Sequence, residues 1–403
     1  MAQTISSVKA RPIASLHLRS KCGRLIGVLA FLPMFLRQLH LRNFRNYLDQ
    51  VVEFGAPKTI VLGENAQGKS NLLESVQLLA TGRTYRISRD RELVLQQKDQ
   101  GKISAMVERA GSLVELDLLL RINGRRTARI NGTTQRRVSD LLGQLNAVCF
   151  SSLDLDLVRG GPESRRDWLD GVLVQLEPLY VHLLEQYRRV LQQRNSLLKQ
   201  AAEHPPSPDE LALWDAQLVT TGVAISRRRA RLIDRLAPMA IQWHTAISGG
   251  REALHVRYSP KIPMLSEDPV QLQHDFLAAI EEKKKLELMR GTSLVGPHRD
   301  EVDLSIDETP ARLFGSQGQQ RTLVLALKLA ELALIESVAG EPPLLLLDDV
   351  LAELDLNRQN QLLDAIGDRV QTIVTTTHLG AFDSNWLKSA EIFTVKAGIV
   401  SPN

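Results

Sequence analysis

Residues Gly63-Glu64-Asn65-Ala66-Gln67-Gly68-Lys69-Ser70 match the pattern G-x-x-x-x-G-K-[ST]. Each fixed position has a chemical reason. Gly63 and Gly68 let the backbone curl until its N–H groups point inward at phosphate. Lys69 places a cation on the terminal phosphates of a nucleotide, and Ser70 offers its hydroxyl to Mg2+. The pattern carries this meaning only between a strand and a helix. Here Thr59-Ile60-Val61-Leu62 precede it as an apolar strand. A helix is predicted over 69–80, with Leu72, Leu73, Val76, Leu79 and Ala80 on one face. Its N-terminal end, opening at Lys69-Ser70-Asn71, suits an anion. The spacing therefore predicts an α/β fold that binds a nucleoside triphosphate through Gly63 to Asn71.

A second strand supports this. Leu344-Leu345-Leu346-Leu347-Asp348-Asp349 is an apolar run ending in two acids. Four successive leucines suit a parallel strand buried on both faces. Asp348 would then stand at the carboxyl edge of the sheet, where ligands sit in open α/β folds. It is expected to hold Mg2+ together with Ser70, while Asp349 polarises the attacking water. Lys69, Asp348 and Asp349 are thus candidate catalytic groups.

Between and beyond these lie three further elements. Ser316-Gln317-Gly318-Gln319-Gln320-Arg321 opens a helix predicted over 318–338. Leu351-Ala352-Glu353-Leu354-Asp355 follows the acids, and Thr375-Thr376-Thr377-His378 ends a predicted strand. In order and spacing they resemble the signature motif, D-loop and switch histidine of ABC ATPases. The resemblance implies that Ser316, Gly318 and Gln319 meet the γ-phosphate bound by an opposite subunit, and that His378 senses it. ABC ATPases carry Glu after the metal-binding acid; the shorter Asp349 here implies slow hydrolysis, suited to a timed switch. No Q-loop glutamine is placed.

More narrowly, the chain resembles the RecF family of bacterial recombination proteins. The residues are Phe35 to Tyr47 (FLRQLHLRNFRNY), Gly160 to Asp170 (GGPESRRDWLD), Leu294 to Asp300 (LVGPHRD) and Gly318 to Leu323 (GQQRTL). It extends over 34–403. Where that family has Pro-Glu-Asp-Leu, this chain has Ser152-Leu153-Asp154-Leu155, so any polar role near the nucleotide passes to Asp154. The resemblance implies an ATP-dependent homodimer in which two heads sandwich two ATP molecules and close on double-stranded or gapped DNA. It further implies a slow, DNA-stimulated ATPase of recombinational repair and replication restart. Such a protein helps load recombinase at single-strand gaps, with RecR and RecO as partners, in the cytoplasm.

The expected architecture is an ABC-type ATPase head with a helical insert. The head's N-terminal lobe covers 34–160, the insert 161–290 and the C-terminal lobe 291–403. Within 102–131 strands are expected, with Asn123-Gly124 and Asn131-Gly132 as hairpin turns. Helical periodicity dominates the insert, broken at His204-Pro205-Pro206-Ser207-Pro208, with Asp209 opening the second half. No sustained heptad is present, and the chain is too short for the long coiled coils of chromosome organisers.

Residues 1–33 hold five basic residues and no acid, followed by the apolar run Leu25 to Leu32. They read as a signal peptide, a transit sequence, or a region upstream of a start at Met34; the last is preferred, because strand alternation begins at Phe35. They also account for the net charge of +4, since without them the chain is slightly acidic. Affinity for nucleic acid must therefore rest on local clusters. Arg121, Arg125, Arg126, Arg129, Arg136 and Arg137 fall in one acid-free stretch on the predicted hairpins and are the candidate DNA contacts. Arg83, Arg86, Arg89 and Arg91 form a diluted second run, and Arg227, Arg228, Arg229 and Arg231 a third on the insert. No aromatic residue interleaves with the hairpin cluster, so backbone contact with duplex is expected over base stacking. Only Cys22 and Cys149 occur, with no spacing for a disulfide framework or zinc site. No apolar run reaches membrane-span length. The alternative reading is an ABC-type subunit acting on a membrane partner; the arginine hairpins and helical insert argue against it.

Overall fold

The computed structural model describes residues 34–84, 90–201, 207–264, 266–382 and 384–403. The stretch 1–33 with its three readings, the proline-rich break at 204–206, and Arg86 and Arg89 lie outside the described residues.

Alternation from Phe35 builds β1 (Phe35–Phe44), which turns at Arg45-Asn46 into β2 (Tyr47–Glu53). Strand β3 (Lys58–Leu62) leads through the glycine loop into α1 (Lys69–Thr81). A meander follows: β4 (Gln100–Arg109), β5 (Ser112–Arg121), β6 (Thr127–Ile130) and β7 (Thr133–Thr134). Then come β8 (Ala147–Ser151) and α2 (Asp156–Arg159). The long helices are α3 (Pro162–Leu176), α4 (Tyr180–Gln200) and α5 (Pro208–Ser248), followed by β9 (Leu254–Ser259) and α6 (Pro269–Arg290). The chain continues through β10 (Glu301–Ile306), β11 (Thr309–Pro310), α7 (Ala311–Phe314) and α8 (Gln317–Ala339). It ends with β12 (Leu344–Asp348), α9 (Leu356–Ile366), β13 (Thr372–Thr376), α10 (Ser384–Ser389), β14 (Ala390–Lys396) and β15 (Ile399–Pro402).

Two sheets and the helix between them set the site. The first is antiparallel, in the order β2-β1-β4-β5-β6-β7; the second runs β15-β14-β3-β13-β12-β8 and is parallel except for β15. Strands β3, β12, β13 and β8 all end on one edge, which carries the glycine loop, both acids and the residues leading to His378. Helix α1 shares one core with both sheets, joining Leu72, Leu73 and Val76 to Leu36 and Leu39 on one side and Leu344 and Leu346 on the other. Its polar Glu74, Ser75 and Gln77 are buried as well as its apolar face. Glu74 is tolerated because Arg45 grips it with two hydrogen bonds of 2.8 Å. The turn at Asn131-Gly132 forms as expected, with φ of 48° and 74°. Ala110-Gly111 makes the same kind of turn at 49° and 78°, although alanine gives no sequence signal for it.

The segment read as helical is not helical throughout. Leu254-His255-Val256-Arg257-Tyr258 alternates, and β9 pairs antiparallel with β10 in a small sheet, order β11-β10-β9. Helix α5 begins at Pro208 with Ser207, not Asp209, as its cap; Ser207 Oγ accepts the Glu210 N–H at 3.1 Å. With 41 residues it is roughly 60 Å long. Two family motifs clasp it. Asp170 of α3 takes two hydrogen bonds of 2.9 Å from Arg229 of α5 and one of 2.7 Å from the Tyr180 hydroxyl. Asp300 accepts from Ser226 at 3.0 Å, from the Lys261 N–H at 2.8 Å and from the Tyr258 hydroxyl. These motifs secure packing.

Arg194 of α4 is fully buried and ties three helical segments together. It reaches Asp215 at 2.5 Å, Glu287 at 2.7 Å and Ser293 Oγ at 2.8 Å. Removing one partner of a buried ion cluster leaves uncompensated charge. Arg194→Leu is expected to destabilise the chain by about 3–5 kcal/mol in urea unfolding; a loss under about 1 kcal/mol would mean the cluster is solvated.

Candidate nucleotide-binding site

The loop is held from behind by residues distant in sequence. Tyr47 OH donates to the Gly68 carbonyl at 2.9 Å, and Asn46 Nδ2 donates to the Gln67 carbonyl at 2.9 Å. Asn46 Oδ1 in turn accepts from Asn71 Nδ2 at 2.9 Å. The turn joining β14 to β15 adds two bonds: Ala397 N–H to Gln67 Oε1 at 2.7 Å and Gly398 N–H to the Gln67 carbonyl at 3.0 Å. Gly68 has φ of 121°, and a Cβ there would lie 2.6 Å from Asn46 Nδ2 and 3.0 Å from Tyr47 OH. The glycine is therefore required both for the curl and for the brace. Burial pushes the Tyr47 phenol up, so it stays a neutral donor.

On the inner side the reactive groups converge. Lys69 Nζ donates to the carbonyls of Gly63 at 2.7 Å and Glu64 at 3.2 Å, and lies 3.8 Å from Asp349 Oδ2. The Ser70 hydroxyl donates to Asp348 Oδ1 at 2.8 Å, and Thr375 Oγ1 donates to the same oxygen at 2.8 Å. Thr375 also accepts the Asp349 N–H at 2.9 Å. Asp349 holds φ of 54°, a left-handed conformation that aspartate tolerates better than most residues. Burial raises its carboxyl above the usual range and Asp348 adds to that, against the pull of Lys69. Glu64, Asn65, Ala66, Gly68, Lys69, Ser70, Asn71 and Asp349 line a cleft of about 270 Å3. Gly63 and Gln67 lie behind it; Gly63 N–H donates to the Thr376 carbonyl at 3.2 Å.

The signature residues are elsewhere. Ser316 caps α8: its Oγ accepts the Gln319 N–H at 3.2 Å while Gln319 Oε1 accepts the Ser316 N–H at 2.8 Å. Gly318 is packed against Arg358 of α9, whose Nε donates to Thr322 Oγ1 at 2.9 Å. Neither Ser316, Gly318 nor Gln319 lines the phosphate-loop cleft of its own chain. His378 is exposed just past β13, outside that cleft, with its N–H on Thr376 Oγ1 at 3.3 Å. Asp154 is turned inward: its carboxylate accepts the Ser151 N–H at 2.7 Å and stands 3.7 Å from Lys328 of α8. So placed, this half-buried acid latches the end of β8 to α8.

The arginine clusters divide. Arg126 grips Asp90 with bonds of 2.8 and 2.6 Å and donates to the Gly82 carbonyl at 2.7 Å, so it anchors the hairpin. Arg121 braces the same turn through the Arg125 carbonyl and Thr127. Arg125, Arg129, Arg136 and Arg137 are exposed. In the third run Arg229 is buried on Asp170, and Arg228 pairs with Glu177.

The chain matches the family model described as RecF/RecN/SMC N terminal domain over residues 35–401. It is 61% identical over 373 residues to the "DNA replication and repair protein RecF" of Synechococcus sp. (strain JA-2-3B'a(2-13)), covering 92% of this chain and 98% of that one. The protein of the same description from Nostoc punctiforme (strain ATCC 29133 / PCC 73102) is also 61% identical over 373 residues, 92% of this chain and 100% of its own. Among solved structures it is similar to one described as the recombination mediator protein RecF-ATPrS in the RecFOR pathway. There the TM-score is 0.86 at 31% identity, with 92% and 99% of the two chains covered. An Smc head domain from Pyrococcus furiosus, at TM-score 0.51 and 15% identity, shares the fold.

Asn46→Ala removes two hydrogen bonds from the loop's outer face while leaving its inner face intact. Nucleotide affinity is expected to fall roughly tenfold, one to two bonds' worth of lost preorganisation, by titration of a fluorescent ATP analogue. Unchanged affinity would show that the brace is dispensable.

Proposed function

The chain belongs to the RecF family of DNA replication and repair proteins, ATP-binding relatives of the SMC heads, and on that premise we propose that it is an ATP-switched clamp on DNA. One observation carries the reading: the cleft at Lys69 and Asp349 contains no signature residue of its own chain. A second copy would supply Ser316, Gly318 and Gln319 to it, and two ATP molecules would be enclosed between two heads. Its DNA replication and repair relatives set aside the alternative of a subunit serving a membrane partner. Among the described residues no helix is long and apolar enough to cross a membrane.

In this reading Lys69 neutralises the β- and γ-phosphates, and N–H groups of the loop between Gly63 and Asn71 cradle them. Ser70 and Asp348 would hold Mg2+; a hydroxyl and a carboxylate with oxygens 2.8 Å apart fit a hard cation that takes few carboxylates beside substrate phosphates. That ion supplies charge neutralisation on the phosphates. Asp349 orients the attacking water, with a shorter reach than glutamate, and His378 reads the γ-phosphate across the interface. Hydrolysis is slow, is stimulated by DNA, and opens the clamp. The exposed arginines of the hairpins, Arg125, Arg129, Arg136 and Arg137, contact duplex backbone through paired guanidinium bonds. RecR and RecO are the expected partners, from the RecFOR pathway in which the similar ATP-bound structures are placed.

The test is retention of a labelled duplex, followed by fluorescence anisotropy with and without ATP and Mg2+. Wild type is expected to hold duplex tightly only with ATP. Asp349→Asn is expected to lengthen the bound lifetime at least tenfold, because the closed state is no longer spent by hydrolysis. Equal retention with and without ATP, or an unaltered lifetime in Asp349→Asn, would remove the switch.

A further inference from the structure

A concavity larger than the nucleotide cleft lies elsewhere among the described residues. It is a cleft of about 1030 Å3 between the β5–β6 hairpin and helices α4 and α5. We propose that this cleft takes single-stranded nucleic acid, a few nucleotides long, with Trp214 as the stacking surface. The proposal rests on the DNA reading above and adds to it a second binding region, which shares Arg125 and Arg136 with the duplex surface.

Three features point to that ligand. The first is charge. Arg125 and Arg136 enter from the hairpin side and Arg189 from α4, all exposed, and none makes an ion pair among the described residues. Of the two acids of the lining, Asp90 holds Arg126, and Glu185 stands exposed on α4, 3.8 Å from His182. Three uncompensated guanidinium groups therefore face a common space, which suits a phosphate backbone.

The second is Trp214. It lies far from the arginines in sequence, so the hairpin cluster read as lacking an aromatic partner. The fold brings α5 across and sets the half-buried Trp214 in the same cleft. An indole beside arginines is the pairing on which unpaired bases stack in sequence-tolerant single-strand sites. Gln193 and Gln217 add amides able to donate to and accept from base edges.

The third is size. A concavity near 1000 Å3 is at the upper end of pockets that enclose a drug-sized molecule. It is too small to receive a duplex and has room for a strand whose bases are splayed. An acidic peptide would satisfy the arginines alone and would leave the tryptophan and glutamines without a role. A duplex lying on the exposed hairpin arginines could pass its unpaired continuation directly into the cleft, so that one chain reads the junction.

The test uses the full chain with ATP and Mg2+ and three labelled probes: a blunt duplex, a short oligothymidylate, and a poly-glutamate peptide. Trp214→Ala is expected to weaken oligothymidylate roughly five- to fiftyfold, the range of one base–aromatic stack, and Trp214→Phe to restore most of it. Arg189→Ala, at an exposed position that leaves the core intact, is expected to weaken it with a shallower salt dependence. Blunt-duplex binding stays unchanged in all three variants, and ATP binding serves as the folding control. An oligothymidylate carrying 5-iodouracil is expected to photo-crosslink to Trp214. If Arg189→Ala and Trp214→Ala bind oligothymidylate as wild type does and no crosslink maps to the cleft, the proposal is wrong. If the variants weaken only poly-glutamate, the cleft is a peptide site and the proposal is equally wrong. Loss of ATP-dependent blunt-duplex binding in the wild type would instead overturn the clamp reading, and so is told apart from failure of the cleft.

Discussion

A glycine loop cannot hold its curl alone; in this chain it is set by hydrogen bonds on the face turned away from the nucleotide. Asn46 and Tyr47, at the turn between the first two strands, close on the carbonyls of Gln67 and Gly68. Gly398, at the far end of the chain, closes on the same Gln67 carbonyl. The loop is therefore the point where the antiparallel sheet, the parallel sheet and the C-terminal hairpin meet. Helix α1, buried between the two sheets, carries the loop's orientation into the core, and Arg45 offsets the charge that this burial encloses at Glu74. Move any of these and the inward N–H groups lose their aim.

The loop-and-acid cleft and the helix that opens at Ser316 are linked by helices. Arg358 of α9 bonds to Thr322 of the signature helix, and that helix is latched to β8 through Lys328 and Asp154 and to α3 through Glu331 and Trp168. Strand β8 pairs with β12, whose last residue, Asp348, faces Ser151 across the ladder. A shift of the signature helix therefore reaches both the acids and the long helices, by direct contact. Buried Lys328 and Glu331 and the half-buried Asp154 satisfy one another, an arrangement that favours discrete positions over gradual ones.

Much of this was legible in the sequence because it is local. The loop, the apolar strand with its terminal acids, the signature helix and the strand before His378 all follow from patterns within a few residues. The alternation at Phe35 and the Asn131-Gly132 turn did as well. What was not legible is long-range. Nothing near Gly68 says that Tyr47 will brace it, although the run Asn43 to Tyr47 was conspicuous. The motifs around Asp170 and Asp300 carried the family resemblance without saying what they do; in the fold they clasp α5, and buried aspartate contacts leave no periodic trace. The arginines of the hairpins looked uniform, yet Arg126 is bound to Asp90 while Arg125 is exposed. Strand β9 did alternate, but its helical surroundings masked it. Trp214 entered the arginine cleft only through the path of α5.

The central claim is that each nucleotide site is shared between two chains. It is tested most directly by sedimentation velocity with ATP and Mg2+ on Lys69→Ala, on Ser316→Arg, and on an equimolar mixture of the two. Each variant alone spoils every shared site and is expected to sediment as a monomer. In the mixture one site combines an intact loop with an intact signature, so a dimer is expected to reappear. A mixture that stays monomeric while wild type dimerises, or a Ser316→Arg chain that dimerises unaided, would contradict the account.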